Sequence, residues 1–207
     1  MPDIGGEVLA TRVAFLELRD ERRLVQEGYE LLDEKRVLLA TEILRQLRHY
    51  LALQDELRRL EQQARDALEA AVDVYGFDDL TVEPKRNLDG ELLRTSVQTF
   101  LGLELVEAKL DRAGTTPAPR SLQALPEARA CASAFQQLIE THVQVAACVG
   151  NLRRLAREYT RTERRARALE NVVLPEIDQS LRFIEEQLDA VDQEEAIRVR
   201  NAASGRG

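Results

Sequence analysis

Few residues in this chain have both the type and the spacing that chemistry needs. There are two histidines, His49 and His142, and two cysteines, Cys131 and Cys148. With carboxylates nearby, such groups could bind a metal or carry acid–base or thiol chemistry. Their spacing argues against both, since no HExxH, GxSxG, CxxC or metal-spaced His/Cys cluster occurs. A GxxxxGK[ST] loop that would cradle nucleotide phosphates is also missing. Both histidines fall in long helical stretches and read as surface or seam residues. The cysteines read as small core residues suited to a reducing cytosol, and the many carboxylates as solvated helix faces. No catalytic residue, cofactor or metal is expected. An enzyme reading would need an unrecognised site within residues 73–126.

Charge placement is more informative. Residues 150–167 carry Arg153, Arg154, Arg157, Arg161, Arg164, Arg165 and Arg167 against Glu158 and Glu163, a local +5. Residues 168–196 carry nine acids against Arg182, a local −8. Such blocks are either solvated faces or docking surfaces. The arginine block reads as a basic collar for an acidic protein partner.

The elements that position these charges are long helices. Between Val8 and Val72 there is no proline, and Gly28 is the only glycine. Leu18, Val25, Leu32, Leu39, Gln46, Leu53, Leu60 and Ala67 recur every seven residues. Phe15, Arg22, Tyr29, Arg36, Ile43, Tyr50, Leu57 and Ala64 form the interleaved row. This is a coiled-coil seam, on a helix roughly 95 Å long at about 1.5 Å per residue. It requires a partner helix. The C-terminal third offers one, in the row Leu152, Leu155, Tyr159, Thr162, Ala166, Leu169, Val173, Ile177, Leu181, Ile184, Leu188 and Val191. Its 3,4 alternation breaks into successive fours around Leu174-Pro175, which predicts a local change of twist.

Pairing the two arms antiparallel makes facing positions sum to roughly 206–210. The acidic stretch then faces Arg19, Arg22, Arg23, Lys35 and Arg36. The arginine stretch faces residues near 43–57, where Arg45 and Arg48 already answer Asp55 and Glu56. The acidic block thus has a partner within the molecule, and the basic block does not. Arg36, polar in an apolar seam, is expected to pair across the helices with Glu170 and fix their register.

Between the arms, Val72, Val74, Leu80 and Val82 suggest short extended pieces ended by Pro84. Asn87-Leu88-Asp89-Gly90 is turn chemistry and Gly114–Pro119 a loop. Val97, Thr99, Leu101, Leu103 and Leu105 alternate about Gly102, which predicts a strand pair turning at that glycine. The fold class is mainly α: a long antiparallel two-helix coiled coil, a helical hairpin, with a small β-hairpin-containing cap at the turn end. Its parts are an N-terminal helix (1–72), the cap (73–126), a C-terminal helix (127–203) and a disordered tail (204–207), forming one elongated unit.

Composition agrees. Aromatics are 4% of the 207 residues, Trp is absent, and Gly (10) and Pro (6) are too few for the turns of an all-β fold. A net charge of −8 disfavours nucleic acid and anionic membranes as partners. No apolar run reaches the roughly 18 residues of a membrane span. The start, Met1-Pro2-Asp3-Ile4-Gly5-Gly6, lacks the pattern of a signal peptide, so the chain is expected to be soluble and intracellular.

Three segments resemble the D subunit of the V-type and archaeal-type rotary ATPases, the central-stalk rotor shaft. Thr11-Arg12 with Leu16 and Leu18 resembles the family's N-terminal start. Gly28-Tyr29-Glu30-Leu31-Leu32-Asp33-Glu34-Lys35-Arg36 is similar to its G-x-x-LL-x-x-KR segment. Thr162-Glu163-Arg164-Arg165-Ala166-Arg167-Ala168-Leu169-Glu170, followed by Pro175, is similar to its T-R-R-R-V-N-A-L-E…I-P. The hairpin around Gly102 matches in kind. Departures are Val37 for a usual Asp, Arg167 for a usual Asn and Glu163 for an Arg. The motif positions are Gly28, Leu31, Leu32, Lys35, Arg36, Thr162, Arg164, Arg165, Leu169, Glu170 and Pro175.

The resemblance implies a protein that is not catalytic by itself and that transmits torque between an ion-translocating membrane ring and a catalytic hexamer. The implied partners are the A and B subunits of that hexamer, the small F subunit of the stalk and a C/d-type membrane-rotor adaptor. The implied location is cytoplasmic and peripheral to the membrane. A prefoldin-like chaperone and a non-rotary coiled-coil adaptor are the competing readings.

Overall fold

The computed structural model describes residues 10–76, 93–110 and 126–204. Helix α1 spans Arg12–Tyr75, strands β1 Leu93–Phe100 and β2 Leu103–Leu110, and helix α2 Pro126–Ala168. A π-helical turn, Leu169–Val173, leads into helix α3, Leu174–Ser204. The described chain is mainly helical, as its composition predicts, with a single antiparallel strand pair, as the alternation about Gly102 predicts.

Helix α1 starts where Thr11 caps it. The Thr11 Oγ1 accepts from the Ala14 N–H at 3.1 Å, satisfying one of the donors a helix start leaves free. At the other end Gly76 turns left-handed, at φ +75°, and its N–H returns to the Val72 carbonyl at 2.8 Å. Val72 and Val74 therefore sit in the last turns of α1 rather than in extended pieces, a correction to the sequence reading. Helical hydrogen bonding continues until the glycine ends it. Leu80, Val82, Pro84, the 87–90 turn and the 114–119 loop lie outside the described residues, as do residues 205–207. Ser204, expected in a disordered tail, belongs to the last turn of α3.

Packing sorts the chain into two units. The first joins residues up to Leu38 with those from Tyr159 onward, and the second holds Leu39–Glu158. In the first, α1 runs antiparallel to α3. Arg12 meets Asp192 at 3.0 Å and Arg22 meets Asp178 at 2.6 Å. In the second, α1 runs antiparallel to α2, with Gln46 against Cys148 and the Tyr75 hydroxyl donating to the Glu127 carboxylate. All sixteen α1 seam positions are buried or half-buried. In the second row only Val191 is exposed, at 58%. Leu39, Leu155 and Ile184 are fully enclosed at 0%. Burial of this apolar stripe is the main term holding such long helices, whose propensity alone is worth little.

The π turn is the change of twist that the successive fours predict. The Leu174 N–H donates to the Leu169 carbonyl, five residues back instead of four. One extra residue in the seam spacing is thereby housed in one widened turn. Pro175 follows one residue later, after Leu174, and a widened turn also spares its ring the carbonyl it would meet in a plain α-helix.

The hairpin turns through Leu101-Gly102, whose φ values are +49° and +83°. Two left-handed residues make the tight turn that suits the twist of paired strands. Gly102 takes this conformation freely, while Leu101 carries some strain.

Candidate functional site

The motif residues fall into groups with different surroundings. In the first unit, Gly28 on α1 approaches Leu169, where the π turn begins. A Cβ added at Gly28 would lie 3.9 Å from Leu169 Cδ1, an ordinary contact. The two most specific motif segments, on opposite arms, therefore meet face to face. Leu32 is half-buried in the seam, while Leu31 points outward and is 67% exposed. Thr162 is 2% exposed, a hydroxyl in the core of the pair. Lys35 is half-buried, and Glu170 and Pro175 lie exposed.

Arg36 does not reach Glu170. Its guanidinium donates to Asp33, one turn earlier on the same helix. The geometry corrects the expected cross-helix pair because the register differs: Arg22 faces Asp178, where the assumed pairing would place a residue near 184–188. Five of the ten arginines of α1 are answered locally, by Asp20–Arg23, Asp33–Arg36, Glu42–Arg45, Asp55–Arg58 and Glu56–Arg59. The acidic block does find α1 partners, in Arg12 and Arg22. The Asp178 hydrogen bond and charge raise the Arg22 guanidinium above its ordinary pKa. This pair is part-exposed, so its contribution is small.

The polar seam layer that the sequence placed at Arg36 lies in the second unit. Gln46 occupies a seam position at 8% exposure, and the Cys148 thiol, at 3%, approaches its side-chain oxygen at 3.6 Å. Gln46 donates to Glu42 at 2.9 Å, and Arg45 clamps the same carboxylate at 2.6 and 2.7 Å. The Arg45 hydrogen bonds hold the Glu42 carboxyl below its ordinary pKa against the desolvation that opposes it. Burial pushes the Cys148 thiol up, countered by Arg45. The heptad rows contain Gln46, but Glu42 and Cys148 lie outside them, so periodicity gives no sign of the cluster. His49 and His142 are exposed on their helices.

The basic collar divides. Arg161, Arg164 and Arg165 in the first unit, and Arg153 and Arg157 in the second, are exposed, with no carboxylate partner among the described residues. Arg167 is exposed but paired with Glu163 at 2.6 Å. Arg154 is withdrawn from the surface and donates to the Asn151 side chain at 2.7 Å. Among the described residues, uncompensated arginines thus face solvent as Arg153 and Arg157 in the second unit and as Arg161, Arg164 and Arg165 in the first. Among the described residues no three His, Cys, Asp or Glu gather as metal ligands, and no helix is long and apolar enough to cross a membrane.

Comparison with known proteins decides the family. The family model for the D subunit of ATP synthase matches residues 14–204, both long arms and everything between them. The chain belongs to the family of ATP synthase D subunits. Among relatives, it is 28% identical to the D subunit of the A-type ATP synthase of Pyrococcus abyssi, over 97% of this chain and 94% of that one. The D subunit of the V-type ATP synthase of Thermotoga neapolitana is 25% identical over 93% and 95%. That of Thermus thermophilus is 27% identical over 94% and 87%. Relatives from both the A-type and the V-type thus align along nearly the whole chain. These matches lend no support to the prefoldin-like or adaptor readings.

Proposed function

We infer that this chain is the central-stalk subunit of a V/A-type rotary ATPase or ATP synthase, transmitting torque between an ion-translocating membrane ring and a catalytic A/B hexamer. The observation that carries this is the family match along residues 14–204, on a chain whose α1 alone has 64 residues. The protein is a structural stalk component and not catalytic by itself. It belongs to the cytoplasmic side of the complex, peripheral to the membrane.

The physical task is to be stiff along its length and asymmetric around it. Enclosed seam residues resist bending, because each would have to leave its packed site. Each orientation of such a shaft favours different conformations of the surrounding subunits through differential contact. The end of α3 suits insertion among partners: residues 189–201 are exposed, with Val191, Ile197 and Val199 all above half. Apolar side chains displayed this way support a surface covered in the assembly, here by the A and B subunits. The unpaired arginines support an acidic counter-surface. The F subunit and a C/d-type adaptor complete the proposed partners, the adaptor at the cap.

Truncation tests the reading. A chain ending after Val191 loses exposed helix, none of the seam row and only the exposed Arg12–Asp192 pair, so its melting should change little. In the assembled complex it should lower the ions moved per ATP hydrolysed. Unchanged coupling would refute insertion of the end of α3 into the hexamer.

A further inference from the structure

The hairpin is attached through the outward edge of β2. Its two-residue turn makes Phe100 and Leu103 a hydrogen-bonded pair, and the pairs then alternate along the strands. Val97 opposite Val106 is therefore a non-hydrogen-bonded pair, so the Val106 N–H and C=O point away from β1. In a larger sheet a third strand would satisfy them. Here one side chain does. Asn151 Oδ1 accepts from the Val106 N–H at 2.8 Å, and Asn151 Nδ2 donates to the Val106 carbonyl at 2.9 Å.

The amide cannot be turned over. Arg154 Nη2 donates to the same Oδ1 at 2.7 Å, so a reversed Asn151 would set its NH₂ against two donors. Arg154 makes this contact although its own Nε is buried with no partner among the described residues. Gly150 lies under the guanidinium, where an added Cβ would come 3.7 Å from Nη2. Asn151 is 4% exposed, so the groups it pairs have little access to water as a substitute. Leu105, beside Val106 on β2, is buried at 7%, while β1 is exposed from Leu93 to Thr99. Asn151 is not a seam residue. Its neighbours Leu152 and Leu155 are.

We propose that Asn151 is the latch of the hairpin: a one-residue surrogate strand, keyed by Arg154, that fixes β2 to α2 and allows the hairpin to be released while the coiled-coil seam stays closed. The inference rests on geometry alone and is independent of any partner in the complex.

Amide hydrogen exchange on the full chain tests it. In the unaltered protein the Val106 amide should exchange more slowly than the outward amides of Thr95 and Val97, which have no partner among the described residues. Asn151→Leu, close in shape but unable to bond, should speed Val106 exchange roughly tenfold or more. Arg154→Met should give a smaller acceleration. Gln46 and Leu155 amides should keep their protection in both variants. Equal exchange of Val106 and Val97 in the unaltered protein would overturn the proposal without any mutant. Unchanged Val106 exchange in Asn151→Leu would also overturn it, as would loss of seam protection together with that of the hairpin.

Discussion

Deleting Val172 separates the two features that coincide at the π turn. Val172 is 51% exposed, so its removal takes little from the core. The seam spacing carries one residue too many between Val173 and Ile177, and the π turn of Leu169–Val173 absorbs it. Without the extra residue the segment should close into plain α-helix, leaving downstream seam residues such as Ile184 facing α1 as before. Pro175 then stands inside an ordinary helix, where its missing N–H and its ring clash cost about 3 kcal/mol. For a chain of this size that is a fall in melting temperature of about 6–12 °C. Replacing the proline in the shortened chain, by Pro175→Ala, should recover most of the loss. Circular dichroism melts of the parent, the deletion and the double variant suffice. A deletion as stable as the parent, or a double variant no better than the deletion, would refute the reasoning.

Three further outcomes follow from the described contacts. Leu39→Ala or Ile184→Ala empties a fully enclosed site and should cost about 2–5 kcal/mol in denaturant unfolding. Glu42 is held low in pKa by its Arg45 hydrogen bonds, so its contribution is present above the unfolded carboxyl value of about 4.3 and is lost as pH falls through the lower folded value. Melts from pH 6 to 3 should therefore fall less steeply for Glu42→Gln than for the parent. Exchanging Arg157, Arg161 and Arg164 for Glu should leave folding within about 0.5 kcal/mol per site yet weaken assembly with the A/B hexamer, measured by co-purification at low salt.

Periodicity reads best where burial is regular. The two heptad rows anticipate the seam and the excess residue near Pro175 because apolar side chains must face their partner every three or four residues. The alternation about Gly102 anticipates the hairpin for the same reason. Register is less legible. Heptad geometry permits several offsets, and single contacts such as Arg22–Asp178 select among them, which is why the pattern points Arg36 at the wrong partner. Val72 and Val74 mislead because β-branched residues favour strands yet sit in helices when a cap such as Gly76 lies just beyond. Asn151 gives no signal at all. A lone helical asparagine looks like surface until a strand's unpaired backbone is placed against it, and the same holds for Arg154, which reads as one more member of a basic collar.

Rotation is the most direct test of the central claim. With the A/B hexamer of the assembled complex fixed to a surface and a bead attached at the Leu101-Gly102 turn, addition of ATP should drive the bead round in one direction. A complex that hydrolyses ATP while the bead on this chain stays still would contradict the account.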